Sequence, residues 1–279
     1  MTTKKFDAKL DFQNDGQLSL FFIGAGNAFQ KTFFQTNLFV VKGKTHILVD
    51  CGTLCPFALE KDFSTKIADI KNLILTHPHA DHIGGVEEIA LCSHYISRQP
   101  VRIAIPPVFR KKLWNDSLRG GLQFSERGKM TFEDYFTAIP IRKIQKNPFE
   151  IFEADFDGIN IKMFRTRHVT VSPATAGKSQ ISYGLIFDDK VIFTGDTQYN
   201  PNQLNFLLEK YKNIEHIFHD CDVSGVAAGV HASYEQLKRF PQEIRAKMSL
   251  CHYNEDMHQV DAAEDGFCGF VQRGLYYNF

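Results

Sequence analysis

Neither sign of charge is in excess in this chain: Lys and Arg total 32, Asp and Glu total 32, and the formal net charge is zero. Without surplus positive charge, gripping a long nucleic-acid duplex by bulk attraction is not indicated, although Arg110-Lys111-Lys112 forms a local basic cluster. No apolar run approaches the ~18 residues that a membrane-spanning helix requires. The start, Met1-Thr2-Thr3-Lys4-Lys5-Phe6-Asp7, lacks the apolar segment of a secretory leader. No membrane partner and a cytoplasmic location are therefore expected. Cysteine is sparse, six residues without paired spacing, which argues against a disulfide framework and for reduced thiols. Cys51 and Cys55 read as buried apolar thiols. The chain has one tryptophan, no repeat at a short fixed period, no low-complexity tract and no obvious linker. With 279 residues and 43% hydrophobic content it can bury a large core, and a single domain over 1–279 is expected.

Short apolar segments at 18–23, 37–41 and 46–49, separated by Gly24, Gly26, Gly43 and Gly52, read as strands and turns. The second half repeats that grammar at 158–164, 181–187 and 191–193, while 81–92, 107–115, 201–210 and 234–240 predict helices. The fold class is α/β (α+β). Gly24-Ala25-Gly26-Asn27-Ala28 imitates the opening of a dinucleotide fingerprint, but Phe29 stands where the last glycine is needed and strand-like residues follow. A Rossmann reading is set aside.

Chemistry concentrates behind an apolar run at 72–75, where Thr76-His77-Pro78-His79-Ala80-Asp81-His82-Ile83-Gly84-Gly85 gathers three imidazoles and a carboxylate on one short loop. Imidazole nitrogen and carboxylate oxygen suit zinc, manganese or iron, and one ion does not need all of these donors. The loop supplies two adjacent half-sites. His77 and His79 alternate and point to one side of an extended segment, whereas the consecutive Asp81 and His82 diverge in a turn entering a helix. Gly84 and Gly85, weak helix formers, imply a close pass against another backbone.

The pattern His77-x-His79-x-Asp81-His82 resembles the signature of the metallo-β-lactamase superfamily, and later residues fit its order. His168 follows a strand-like segment at 161–167, Asp196 ends Val191-Ile192-Phe193-Thr194-Gly195, and His252 follows Met248-Ser249-Leu250-Cys251. The resemblance covers about residues 18–256 and implies a four-layer αββα sandwich with the ligand loops along one edge. It also implies two divalent ions per subunit, zinc first, with manganese or iron as alternatives. His77, His79 and His168 would hold one, Asp81, His82 and His252 the other, and Asp196 would bridge them. Such a pair shares a hydroxide for hydrolysis, which Asp81 is also placed to orient and deprotonate.

Within the superfamily the stretch from Leu20 to Phe29, the segment Val49-Asp50-Cys51-Gly52, and Ser182-Tyr183-Gly184 are similar to the ribonuclease Z branch. By that resemblance Ser182 and Tyr183 bind substrate, and Asp220, in His219-Asp220-Cys221-Asp222, orients His231 as proton donor to a sugar alkoxide. His46, His94, His216 and His258 fit no ligand slot. The branch's tRNA-gripping arm has no counterpart, because 181–193 leaves room for a hairpin and little else between His168 and Asp196. The same core occurs in cyclic-nucleotide phosphodiesterases. The expected function is therefore a metal-dependent phosphodiesterase that hydrolyses a small cyclic nucleotide through a dinuclear metal-bound hydroxide. A ribonuclease Z-like RNA or tRNA 3′-end endonuclease is the alternative, with RNA as partner, and a thioester or lactone hydrolase on the same fold is the further one. Extra residues at 98–146 predict a cap or dimer contact, and a homodimer is expected. Trp114 reads as core packing. Phe29, Phe33 and Phe34 are set to stack a base, pack a loop or meet a partner, and Arg167 and Lys178 to meet a phosphate or face solvent.

Overall fold

A computed structural model describes residues 1–170, 180–225 and 229–279. In chain order the strands begin with Thr2–Lys5 (β1), Ser19–Gly24 (β2), Asn37–Lys42 (β3), Thr45–Val49 (β4), Asn72–Ile74 (β5) and Val101–Ala104 (β6). A small hairpin of Phe124–Ser125 (β7) and Gly128–Lys129 (β8) precedes Phe136–Ala138 (β9). Arg142–Gln145 (β10), Ile151–Phe156 (β11), Ile159–Arg165 (β12), Tyr183–Phe187 (β13), Val191–Phe193 (β14), His216–Asp220 (β15), Met248–Cys251 (β16) and Leu275–Asn278 (β17) follow. The helices are Cys55–Phe63 (α1), Ala80–Ile83 (α2), Val86–Cys92 (α3), Pro107–Leu113 (α4), Arg119–Leu122 (α5), Pro201–Lys210 (α6), Tyr234–Leu237 (α7) and Gln242–Arg245 (α8).

Two sheets carry the architecture, one in the order β1-β17-β2-β3-β4-β5-β6-β9 and the other running β10 to β16 in chain order, its last three strands parallel and joined by helical crossovers. Alternation along the strands decides the layers. Phe22 of β2 turns inward onto Phe193 and Phe218 of the facing sheet, with ring centroids 6.4 and 4.9 Å away. Its neighbour Phe21 turns outward onto Phe63 of α1 at 4.9 Å. In β15, Phe218 faces between the sheets while Ile217 packs outside with Leu204 and Leu207 of α6. Both faces of these strands are covered, so β2, β4, β5 and β13 through β16 are buried along their whole length, with polar residues such as His216, His219 and Asp220 of β15 buried among the apolar ones. The result is one domain with a four-layer αββα sandwich.

The helix read at 81–92 is two helices. Segments 50–53 and 80–85 are stitched together by Cys51 N–H to His82 O and Gly85 N–H to Cys51 O, each 2.8 Å. A Cβ at Gly85 would lie 2.7 Å from Cys51 Sγ, and one at Gly84 would lie 2.3 Å from Thr53 Oγ1. The glycines permit that close pass, and the chain kinks there. The helix read at 234–240 ends at Leu237. Residues 98–146 contribute β6 and β9 to the first sheet with α4 and α5 between them, and Trp114 packs edge-on to Phe132, centroids 6.3 Å apart.

Two histidines outside the ligand set are part of the core. His46 lies 4.7 Å from the Phe12 ring and 5.4 Å from the Phe39 ring, and its Nε2 accepts the Lys71 N–H. His216 shares a hydrogen bond of 2.9 Å with Ser249 Oγ. Burial lowers both to about 4. The unfolded chain takes up these protons near pH 6.5, so between about 6.5 and 4 it binds more protons than the folded one, and stability falls as pH drops through that window. Urea unfolding of metal-free protein at about pH 7 and about pH 5 should show the loss, and His216→Gln should reduce the slope by about one proton. An unchanged slope in that variant would mean that His216 titrates alike in both states.

Candidate active site

Each residue of the expected ligand set follows the end of a strand. His77 lies just past β5; His79 precedes α2, whose first turn carries Asp81 and His82. His168 follows β12, Asp196 follows β14, and His252 follows β16. His252 holds a left-handed backbone, φ 63°, fixed by its N–H on Ala25 O at 2.7 Å. A non-glycine residue in that conformation is held there by its surroundings, a form of strain that clusters at functional sites.

These side chains converge into two constellations sharing Asp196: His77, His79, His168 and Asp196, and then Asp81, His82, Asp196 and His252. Within each, donor atoms lie within 4.8 Å of one another. Asp196 Oδ2 stands 3.6 Å from His77 Nε2, 3.8 Å from His168 Nε2 and 3.3 Å from His252 Nε2. His82 Nε2 stands 3.2 Å from Asp81 Oδ2 and 3.3 Å from Asp196 Oδ1, yet forms no well-made hydrogen bond. Ligands about 2.0–2.1 Å from a common tetrahedral centre are spaced about 3.3 Å apart, so this orphaned imidazole nitrogen and its neighbours fit the spacing of a coordination shell. The donor set, the spacing and the burial suit a divalent metal centre.

Burial alone would keep the rings neutral, and it holds His77, His79 and His168 below the ordinary histidine value. At His82 the carboxylates Asp196, Asp81 and Asp50 outweigh burial and pull the ring well above that value. Asp81 and Asp196 are drawn the other way, far below the usual carboxylate range, as nearby histidines outweigh their burial. The site thus concentrates negative charge where cations would sit.

A second ring of groups aims the ligands. His82 Nδ1 shares a 2.7 Å hydrogen bond with Asp50 Oδ2, and Asp50 itself accepts the Thr76 N–H and hydroxyl at 2.7 and 2.6 Å. His168 Nδ1 donates to Val230 O at 2.8 Å, which leaves Nε2 for the centre. Ser182 and Tyr183, expected to bind substrate, are buried. The Ser182 hydroxyl donates to Asp196 O at 3.0 Å, and Tyr183 lies among Phe109 and Phe152. They shape the Asp196 loop and offer substrate no open face. Arg167 is exposed, and Lys178 lies outside the described residues.

Beside the centre, His231 Nδ1 shares a 2.8 Å hydrogen bond with Asp220 Oδ2, which also accepts the Thr197 N–H at 2.8 Å. The His231 side chain is 20% exposed and Asp220 fully buried. The ring stacks on His252, centroids 4.6 Å apart and 27° between planes. Burial opposes the charged ring, but the Asp220 carboxylate outweighs it and pushes His231 up to about 9. Asp220 Oδ1 lies 3.5 Å from His252 Nδ1 and forms no hydrogen bond, so one carboxylate is bonded to the first ring and faces the second.

A model of the family described as "Anti-Pycsar protein Apyc1" matches residues 18–277. The anti-Pycsar protein Apyc1 of Paenibacillus xerothermodurans is 30% identical over 262 residues, covering 94% of this chain and 98% of the relative. The one from Bacillus phage vB_BsuM-Goe3 is 29% identical over 261 residues, covering 90% and 95%. Among solved structures, the metallo-beta-lactamase fold protein YhfI from Bacillus subtilis has a TM-score of 0.69 at 15% identity, covering 95% of this chain and 100% of that one. The fold and the clustered ligands support a metal-dependent hydrolase. No helix among the described residues is long and apolar enough to cross a membrane. The family match corrects the function drawn from the sequence, because that description, from small cyclic nucleotide through RNA 3′ ends to thioesters and lactones, did not contain the role for which the family is named. On a match that covers nearly the whole sequence, the chain belongs to the anti-Pycsar protein Apyc1 family and carries the metallo-β-lactamase fold.

Proposed function

We propose that the protein is a metal-dependent phosphodiesterase with a nucleotide substrate, acting in the anti-Pycsar role that its relatives' names give. The observation that carries this reading is the Asp220–His231 pair set against both metal constellations. A sugar alkoxide is a poor leaving group unless it is protonated, and a histidine held by a buried carboxylate is a donor for it. Acyl substrates with good leaving groups do not need one.

His77, His79, His168 and Asp196 would hold one divalent ion, and Asp81, His82, Asp196 and His252 a second, with zinc favoured by the nitrogen and oxygen donors. Bound there, the pair supplies Lewis acidity toward phosphate oxygens and lowers the pKa of water toward neutrality. The chain's own residues do the rest. Asp50 and the Val230 carbonyl fix the His82 and His168 rings, and Asp81 orients the attacking group. Asp220 takes His231 Nδ1, leaving Nε2 as the nitrogen that delivers a proton to the leaving oxygen. A cytoplasmic location fits the six free thiols, and a homodimer would cover Val108 and Phe124, both exposed on the 98–146 segment.

The test is hydrolysis by zinc- and manganese-reconstituted protein of bis(p-nitrophenyl) phosphate and of linear and cyclic nucleotide phosphodiesters, alongside a thioester and a lactone. Cleavage of phosphodiesters, loss of activity with a chelator, and two metal equivalents by elemental analysis are expected. Turnover of the acyl substrates with every phosphodiester left intact would overturn the reading.

A further inference from the structure

The rim loop between β2 and β3 is built outward from the metal site. Gly26 bridges to Gln35 and to Tyr253, the neighbour of His252, and the Asn27 N–H donates to Tyr253 O at 2.9 Å. On the other side, Gln35 Nε2 donates to Ala28 O at 3.1 Å, while Asn37 Nδ2 donates to Asp81 O at 3.1 Å. The loop is tied directly to one residue of the metal constellations, its Ala25 O accepting the His252 N–H at 2.7 Å, and the first residue of the strand that follows it, Asn37, is tied to a second, Asp81. Two of its three aromatics are packed: Phe33 edge-on to Tyr253 at 5.2 Å, and Phe34 beneath the Arg273 guanidinium at 4.3 Å. The third is not. Phe29 is 86% exposed, on a turn closed by its own N–H donating to Asn27 Oδ1 at 3.1 Å.

A lone exposed phenylalanine on a surface needs no explanation. This one projects from a loop pinned at both ends to the catalytic wall, so its ring is held out at small entropic cost. A flat apolar ring there complements a flat apolar ligand, and the part of a nucleotide that remains once its phosphate faces the metals is the base. We propose that Phe29 is a substrate-positioning residue whose ring stacks on the nucleobase, an assignment that rests on the nucleotide-phosphodiesterase reading above. Stacking uses the π face common to all bases, so Phe29 strengthens binding without choosing among them.

Calorimetry on metal-reconstituted protein separates base from phosphate, using uridine 5′-monophosphate and the base-free ribose 5-phosphate as probes. Phe29→Ala should weaken the nucleotide about tenfold, in the range of one lost stack, and leave ribose 5-phosphate unchanged. Phe29→Trp should keep nucleotide affinity. Equal loss on both probes, no loss on either, or a wild type that binds the two alike would overturn the proposal. So would a change of oligomeric state in Phe29→Ala by light scattering, which would make Phe29 a subunit contact. Protein that prefers the nucleotide through Phe29 yet leaves every phosphodiester intact would sink the phosphodiesterase reading alone.

Discussion

Asp196→Ala is expected to abolish most activity, by about 10³-fold or more in kcat/KM, and to lower bound metal below two equivalents per chain. Among the described residues no other belongs to both of the four-donor constellations. Its Oδ2 lies 3.3 to 3.8 Å from nitrogens of His77, His168 and His252, and its Oδ1 lies 3.3 Å from His82. Removing one carboxylate therefore takes a ligand from each half-site, where removing His79 or His252 takes one from a single half. The loss should not come from unfolding. In metal-free protein Asp196 is the strongest of the carboxylates that draw His82 and His252 above their ordinary values, so alanine lets those buried rings relax toward neutrality. Elemental analysis with unfolding in chelator checks both halves of the claim. A variant that keeps two ions and most of its turnover would remove Asp196 from the bridge.

Much of this site was legible because each donor sits just past a short apolar run, so strand periodicity and ligand chemistry could be read together. His77, His79, Asp81, His82, His168, Asp196 and His252 meet in space for that reason. The groups that aim them were harder to find. Asp50 stands out in sequence only within Val49-Asp50-Cys51-Gly52, the segment similar to the ribonuclease Z branch; its contact with His82 spans 32 positions, and no local spacing encodes it. A carboxylate at a strand end with a left-handed backbone, φ 60°, is the available signal, and φ is not visible in sequence. The Val230 carbonyl on His168 is backbone and carries no residue signature at all. Apolar periodicity ran on through 81–92 and read as one helix, because the approach of Cys51 and Gly52 that splits it is a tertiary event. The biological role lay further out still: a hydrolytic core constrains ligands and leaving groups, and says nothing of which pathway supplies the substrate.

His231→Ala should separate substrates by leaving group. On an unactivated nucleotide phosphodiester kcat is expected to fall about 10²- to 10⁴-fold, the usual worth of a positioned general acid. On bis(p-nitrophenyl) phosphate, whose leaving p-nitrophenolate is stable as an anion, the same variant should lose little. Metal content should hold, because His231 lies in neither four-donor constellation, and Asp220 keeps the Thr197 N–H at 2.8 Å and His252 Nδ1 at 3.5 Å. The contrast distinguishes proton delivery from packing, since the ring also stacks on His252 at 4.6 Å and a purely structural role would slow both substrates together. Asp220→Asn, which preserves shape while weakening the hold on Nδ1, should show the same split in milder form. Parallel loss with metal retained would make the ring a packing group, whereas release of metal would make Asp220, His231 and His252 a coordinating group in their own right, which their mutual spacing allows. The leaving-group test and the metal count together therefore decide among a proton donor beside the metals, a packing ring and an additional ligand to them.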